Sequence, residues 1–189
     1  MSVAITCFEI PSGVDAAIEP APGSRLHRAL APGARFRYIA IGDDEPAARA
    51  VGAGADAIRM ESGRYELLHT SENAAAPFGA DPGEPPVVFV NCFVVEPGRE
   101  DAAFTVWQEI NDYMVGKPGY RSHRLHRRVG DAPFAMVNVV EWESMQAWQA
   151  AHDDGFRALA DPARLPFVTI PTLCELVPNG ERHASASRS

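Results

Sequence analysis

The chain has 189 residues, a formal charge of −8, 46% hydrophobic and 22% charged side chains, which places it among globular proteins large enough to bury a real core, as one large domain or two small ones. The acidic balance argues against general affinity for nucleic acid, whose phosphates are held by Lys and Arg. No apolar run reaches the roughly 20 residues that cross a bilayer, and Met1 to Pro11 lacks the basic start and long apolar stretch of a signal peptide, so the expected location is cytoplasmic, away from membrane.

In chain order, the first half opens with a strand at Val3 running into "CFEIPSG", then a helix reduced to about one turn at "VDAAIEP". Strands within "RLHRALAPGARFRYIAI" from Arg25, a second helix and a strand at "YELL" from Tyr65 follow. Thr70 to Pro86, "TSENAAAPFGADPGEPP", is rich in Pro, Gly and Ala without an apolar period and reads as a linker. The second half starts with a continuous apolar strand, Val87 to Val95, stopped by the Pro97-Gly98 turn. Phe104, Trp107, Ile110 and Met114 recur at helical spacing and predict a helix over Asp101 to Val115, ended by Gly116, Pro118 and Gly119. Tyr120 to Val129 and Phe134 to Trp142 form a hairpin across "GDAP". A second helix spans Ser144 to Leu159, with Met145, Trp148, His152, Phe156 and Leu159 on one face, and Thr172 to Val177 is the last strand.

The two halves repeat one another. "CFEIPSG" at Cys7 echoes "CFVVEPG" at Cys92, "RLHRALAPGARFRYIAI" echoes "RLHRRVGDAPFAMVNVV" from Arg124, and "YELL" echoes "CELV" at Cys174. The order strand, helix, strand, strand, helix, strand is the ferredoxin-like unit. Its strands, apolar on both faces, need cover on both sides, helices on one and a second sheet on the other. Two units in one chain supply each other's cover, so the expected fold is α+β: two ferredoxin-like units forming an intramolecular dimeric α+β barrel. The expected division is a degenerate unit over 1–69, the linker 70–86, a full unit over 87–178 and a flexible tail over 179–189. Cys7, Cys92 and Cys174 are odd in number and set in apolar strands, which reads as reduced core residues. "RSHRLHRR" from Arg121 has no interleaved aromatic platform for bases and reads as a solvated strand and turn. His123 and His126, three apart on a strand, point to opposite faces by regular geometry and give no two-ligand metal site.

"NCFVVEPGREDAAF" from Asn91, "KPGYRSHRLHR" from Lys117 and "VNVVEWES" from Val137 carry a further signal: the second half resembles the antibiotic biosynthesis monooxygenase family of dimeric α+β barrels. The first half matches only through its strands, with Ala40 in the place of Asn138 and Asp44 near that of Trp142. The resemblance implies oxygenation of phenolic, polycyclic aromatic polyketides to quinones, in many members without metal, heme or flavin. In that branch an Asn and a Trp four residues apart on one strand bind the substrate, a spacing that Asn138 and Trp142 reproduce. A related branch degrades heme with an Asn on the first strand, a Trp in the second helix and a late His in that helix. Asn91 and Trp148 fit the first two, but "FRALADP" holds no histidine, which argues against heme.

Strand alternation sends Met136, Asn138, Val140 and Trp142 one way and sets Phe89, Asn91 and Phe93 on one face. The resemblance places the cavity between the sheet and its own helices. A buried amide without a partner costs about 1–3 kcal/mol, so each Asn is bonded to a backbone carbonyl, to water or to a ligand. Two asparagines, two tryptophans and His152 lining one volume favour a ligand site. His152 reads equally as a hydrogen-bonded core residue and as the group placed to take a phenolic proton. The expected catalytic set is therefore Asn138, Trp142, His152 and Asn91, with Trp148, Trp107, Phe93, Phe89, Met136 and Tyr120 against the substrate; His152 or a hydroxyl such as Tyr120 is the base. The first reading is an O2-dependent monooxygenase turning a polyketide phenol or anthrone into a quinone, in antibiotic or pigment biosynthesis, without a required cofactor. A second adds reduced flavin, delivered by a separate reductase and loosely held, since no G-x-G-x-x-G fingerprint is present. A third is a non-catalytic ligand-binding or scaffold protein, suggested by the degenerate half. A small-molecule aromatic is the expected partner, with a second copy of the chain and a flavin reductase left open.

Overall fold

A computed structural model describes residues 2–14, 16–72 and 85–178. Most of the expected linker and all of the expected tail lie outside the described residues. The strands are β1 (Ser2–Glu9), β2 (Ala17–Pro20), β3 (Arg25–Ala29), β4 (Tyr38–Gly42), β5 (Ala48–Val51), β6 (Arg59–Glu72), β7 (Val87–Val95), β8 (Tyr120–Val129), β9 (Met136–Trp142) and β10 (Phe167–Leu176). The helices are α1 (Glu100–Val115), α2 (Met145–Ala151) and α3 (Asp154–Leu159). Eight strands close a mostly antiparallel barrel in the order β1-β4-β3-β10-β7-β9-β8-β6, while β2 and β5 pair separately. The fold class is the expected α+β barrel. No helix among the described residues is long and apolar enough to cross a membrane.

The chain divides into two compact units, the first made of Met1–Leu67, Arg128–Pro133 and Thr172–Ser189, the second of Leu68–Arg127 and Phe134–Pro171. Phe8, Ile18, Leu26, Tyr38 and Val177 centre the core of the first. Both helices expected there are absent among its described residues. Within "VDAAIEP" the residues Ala17–Pro20 are β2, and Ala16 and Ile18 are buried while Ala17 and Glu19 are less so, a period of two that fits a strand pairing with β5. In place of the second helix stand β5 and one 3-10 turn, Ala55–Ala57. Gly52, at φ +103, and Gly54 interrupt this alanine-rich stretch before a costly helical nucleus can propagate.

In the second unit the apolar period of the sequence dominates, and α1 turns Ala103 and Trp107 inward to pack with Phe93, Leu125 and Phe167. The expected single helix over Ser144–Leu159 is two. Ser144 caps α2 by accepting from the Ala147 amide at 3.1 Å, and Asp153 caps α3 by accepting from the Phe156 amide at 3.0 Å. A carboxylate that takes a backbone N–H in this way starts a new helix and ends the old one at His152. β10 begins at Phe167, ahead of Thr172, because Phe167 packs edge-on against Phe93 at 5.0 Å. β6 runs on to Glu72, past the expected break at Thr70, and the Thr70 hydroxyl donates to the His123 carbonyl at 3.0 Å. The strand β8 is not solvated as expected: Ser122, His123, Leu125 and His126 are buried, and Arg124 reaches outward to Glu72 and Glu141.

The repeat extends to the strand registers. β1 and β4 pair Thr6 with Ala40, Cys7 with Ile39 and Phe8 with Tyr38; β7 and β9 pair Asn91 with Asn138, Cys92 with Val137 and Phe93 with Met136. Leu26 lies opposite Ala40 as Leu125 lies opposite Asn138. The three cysteines are buried thiols outside any disulfide.

Candidate active site

A cavity of about 560 Å³ lies in the second unit, lined by the β7 and β9 faces, by α1, α2 and α3, and by the segment leading into β10. Phe89, Asn91, Phe93, Trp107, Tyr120, Asn138, Trp142, Trp148 and His152 line it together. Met136, expected beside them, does not. It sits opposite Phe93 in the core cluster, 2% exposed, at the end of β9 that the cavity does not reach.

Asn91 and Asn138 are directly opposed across β7 and β9, which brings two amides to one spot on the cavity wall. The Oδ1 of each is buried without a hydrogen-bond partner in the protein, and so is the Trp148 Nε1. Three unmet groups at about 1–3 kcal/mol each form a polar centre that a ligand with both donors and acceptors satisfies. The first unit handles the same register differently. There Thr6 Oγ1 is bonded to Ser62 Oγ at 2.9 Å and receives the Ala47 amide at 2.9 Å, and its opposite is Ala40, which has nothing to satisfy.

Aromatic rings frame this centre. Trp142 meets Tyr120 edge-on at 5.7 Å and Phe89 lies 5.8 Å from Trp148. His152 packs against Trp148 at 4.3 Å and Phe156 at 4.4 Å. Its Nδ1–H donates to the Trp148 carbonyl at 2.6 Å, which fixes the tautomer and leaves the Nε2 lone pair available. Burial, the larger effect, lowers its pKa while that hydrogen bond opposes it, so the ring is neutral at pH 7. A neutral imidazole with a held tautomer is fitted to accept a proton.

Tyr120 carries a less expected feature. Its pKa is pushed up to about 12, chiefly by burial, so it enters any reaction as the neutral phenol. Its hydroxyl is 2.5 Å from His123 Nδ1. Regular alternation would put these two residues on opposite faces, but the β8–β9 register slips between Tyr120 and Ser122, leaving Arg121 as the extra residue. The bulge turns Tyr120 to the side of His123. His126 stands opposite Val137 as His27 stands opposite Ile39 in the first unit; His27 Nδ1 bonds the Ile39 carbonyl at 3.2 Å, whereas His126 Nδ1 is buried without a hydrogen-bond partner.

Sequence reasoning missed Asn111, Met114, Phe156 and Leu165, all of which line the cavity. Asn111 was findable, being buried four residues after Trp107 on the inward stripe of α1. Leu165 lies between α3 and β10, where no periodicity points inward.

The family described as Antibiotic biosynthesis monooxygenase matches residues 86–158. Among solved structures, an anthrone oxidase-like protein is 14% identical, with 98% of this chain and 96% of its own covered at a TM-score of 0.60. A protein of Fusobacterium nucleatum subsp. nucleatum whose name carries the word monooxygenase is 8% identical, with 99% and 98% covered at 0.58. These two are likenesses of fold. SnoaB, a cofactor-independent oxygenase from Streptomyces nogalater, is 27% identical over 47% of this chain and 90% of its own, at 0.42. No curated protein matches the chain.

Proposed function

We propose, for a chain whose residues 86–158 match the antibiotic biosynthesis monooxygenase family, that the cavity of the second unit oxidises a polycyclic aromatic phenol or anthrone to a quinone with O2. The observation that carries this reading is the opposed pair Asn91 and Asn138, their amide oxygens unpartnered inside an aromatic-walled cavity of about 560 Å³. That volume suits a fused three-ring molecule. Two buried acceptors and the Trp148 N–H donor match a ring system with phenolic O–H groups and a carbonyl.

His152 at Nε2, or the Tyr120 oxygen as its own proton passes to His123 Nδ1, takes a proton from the bound substrate, giving a phenolate whose charge extends to the ring carbon. That anion passes one electron to O2, and the two radicals combine to form a C–O bond, giving a hydroperoxide once the proton returns. Loss of water, with removal of the second ring-carbon hydrogen, leaves the carbonyl: a CH2 and O2 become C=O and H2O. The amides of Asn91 and Asn138 hold the phenolic groups, their oxygens accepting from O–H and their N–H groups donating as negative charge develops, and the low-polarity walls strengthen that contact. Trp107, Trp142 and Trp148 stack on the rings and exclude water. The substrate supplies the electrons, so the protein's share is orientation, desolvation and proton handling.

Oxygen uptake and quinone formation with a hydroxyanthrone test this reading. Uptake by the protein alone is expected, above the rate without protein. Uptake only with reduced flavin and a reductase would transfer the oxygen chemistry to flavin, and tight binding without uptake in either case would leave a ligand-binding protein.

A further inference from the structure

We propose that Tyr120, His123 and His69 form a proton relay leading from the cavity, with His69 as its outer end; this rests on the reading of the cavity as a site for a phenol. Three groups stand in one hydrogen-bonded line. Tyr120 lines the cavity, its hydroxyl is 2.5 Å from His123 Nδ1, and His123 Nε2 is 2.8 Å from His69 Nδ1. His123 is wholly buried, whereas His69 is partly exposed. Each imidazole uses one nitrogen toward the cavity side, and His123 uses both, which is the arrangement a relay needs and a simple structural tie does not. The two rings stack at 5.1 Å, 10° from parallel, and Trp107 packs edge-on against both, at 5.5 Å from His69 and 5.4 Å from His123. The bulge at Arg121 exists in β8 at the position that brings Tyr120 into this line.

The proton count closes. When a phenol in the cavity ionises, its proton goes to the Tyr120 oxygen as the tyrosyl proton moves to His123 Nδ1. The Nε2 proton of His123 then moves to His69 Nδ1, and His69 gives up its Nε2 proton to solvent. One proton enters and one leaves, each residue is neutral before and after, and both imidazoles have changed tautomer; the reverse passage returns a proton to the cavity. Burial foremost, then the like charge of His69, lowers the His123 pKa to about 4, so His123 passes a proton without keeping it. His69 and His123 act through Tyr120 and are positioning residues.

The test reads proton transfer without turnover. Anaerobic protein is mixed in stopped flow with a hydroxyanthraquinone whose phenolate is coloured, and a pH-indicator dye reports protons reaching solvent. In His69→Ala, ionisation of the bound phenol and proton release should slow together by about tenfold or more, affinity should hold, and added imidazole should restore the rate. His69→Gln, which keeps a hydrogen-bonding side chain but carries no proton, should be as slow as His69→Ala and serves if the alanine variant fails to fold. Wild-type rates in the folded variant, or a wild-type protein that does not ionise the bound phenol, would overturn the relay. Intact proton release with no oxygen uptake on a hydroxyanthrone would sink the oxygenase reading and leave the relay standing.

Discussion

Thr6 and Ala40 face each other in the rank that Asn91 and Asn138 fill in the second unit, yet Thr6 is tied into the protein through two hydrogen bonds and the oxygens of Asn91 and Asn138 are tied to nothing. If the Asn138 amide serves the substrate, Asn138→Ala leaves stability nearly unchanged, because the amide oxygen it removes holds no other part of the protein together. Turnover should fall by roughly a hundredfold or more, the effect of losing one donor to a developing oxyanion. Thermal unfolding and single-turnover rates on one preparation decide it; a large loss of stability with normal turnover would make the amide structural. The buried histidines carry a second prediction. His123, at about 4 instead of 6.5, refuses a proton that the unfolded chain accepts, so between those values the unfolded state binds more protons and stability falls as pH falls. His126 and His152, both lowered by burial, act in the same direction. Unfolding in denaturant from pH 7.5 to 4 should show this decline, of which His123 supplies roughly 3 kcal/mol; His123→Phe should flatten the curve, and an unchanged slope would show that His123 titrates normally. Nine of the ten expected site residues line the cavity: strand alternation made Phe89, Asn91, Phe93, Asn138 and Trp142 legible, and helical spacing Trp107, Trp148 and His152, since neither period needs tertiary knowledge. The His69 to His123 contact was not legible, because it joins residues far apart in sequence and depends on a bulge.

At the scale of elements, the segment between α1 and β8 positions Tyr120 and leaves little room for change. Gly119 has φ +79, and a Cβ placed there would strike the Ala147 Cβ on α2 while its carbonyl accepts the Glu143 amide at 2.8 Å. Gly119→Ala therefore combines left-handed backbone strain with overpacking and should destabilise by roughly 2–4 kcal/mol. Urea unfolding measures it, and Gly116→Ala, where a Cβ would meet only the Tyr113 carbonyl at 4.0 Å, is the control expected to change little. The elements of the second half were readable because Phe104, Trp107 and Ile110 set a strong helical period and Val87 to Val95 an unbroken apolar run. Those of the first half were not. "VDAAIEP" and the alanine-rich stretch after Pro46 carry too few large apolar residues for either period to dominate, so pairing between β2 and β5 decides the outcome. The break at His152 escaped for a related reason: a capping Asp inside a helical period looks like one more polar residue until its side chain is seen to take the Phe156 amide.

Over the whole molecule, one repeated register serves two purposes, a filled core in one unit and a lined cavity in the other. In the first unit Ala40 packs with Phe8, Leu26 and Tyr38 in the core, and no α-helix among the described residues is present to roof a cavity. In the second, Asn138 takes the matching position and three helices supply the opposite wall. The repeat strings made this kinship visible, while the difference in use lies in helices that only the second half forms. Two consequences follow from unequal use of equal positions. Ala40→Asn should destabilise by about 1–3 kcal/mol, since an amide there is buried with no ligand to bond, in contrast to the small effect expected of Asn138→Ala. Calorimetric titration with a hydroxyanthraquinone should give one site per chain, and Asn138→Ala should weaken it while Ala40→Gly leaves it in place. Two equal sites per chain would mean that the first unit also opens to ligand, and the assignment of the whole binding function to the second unit would fall.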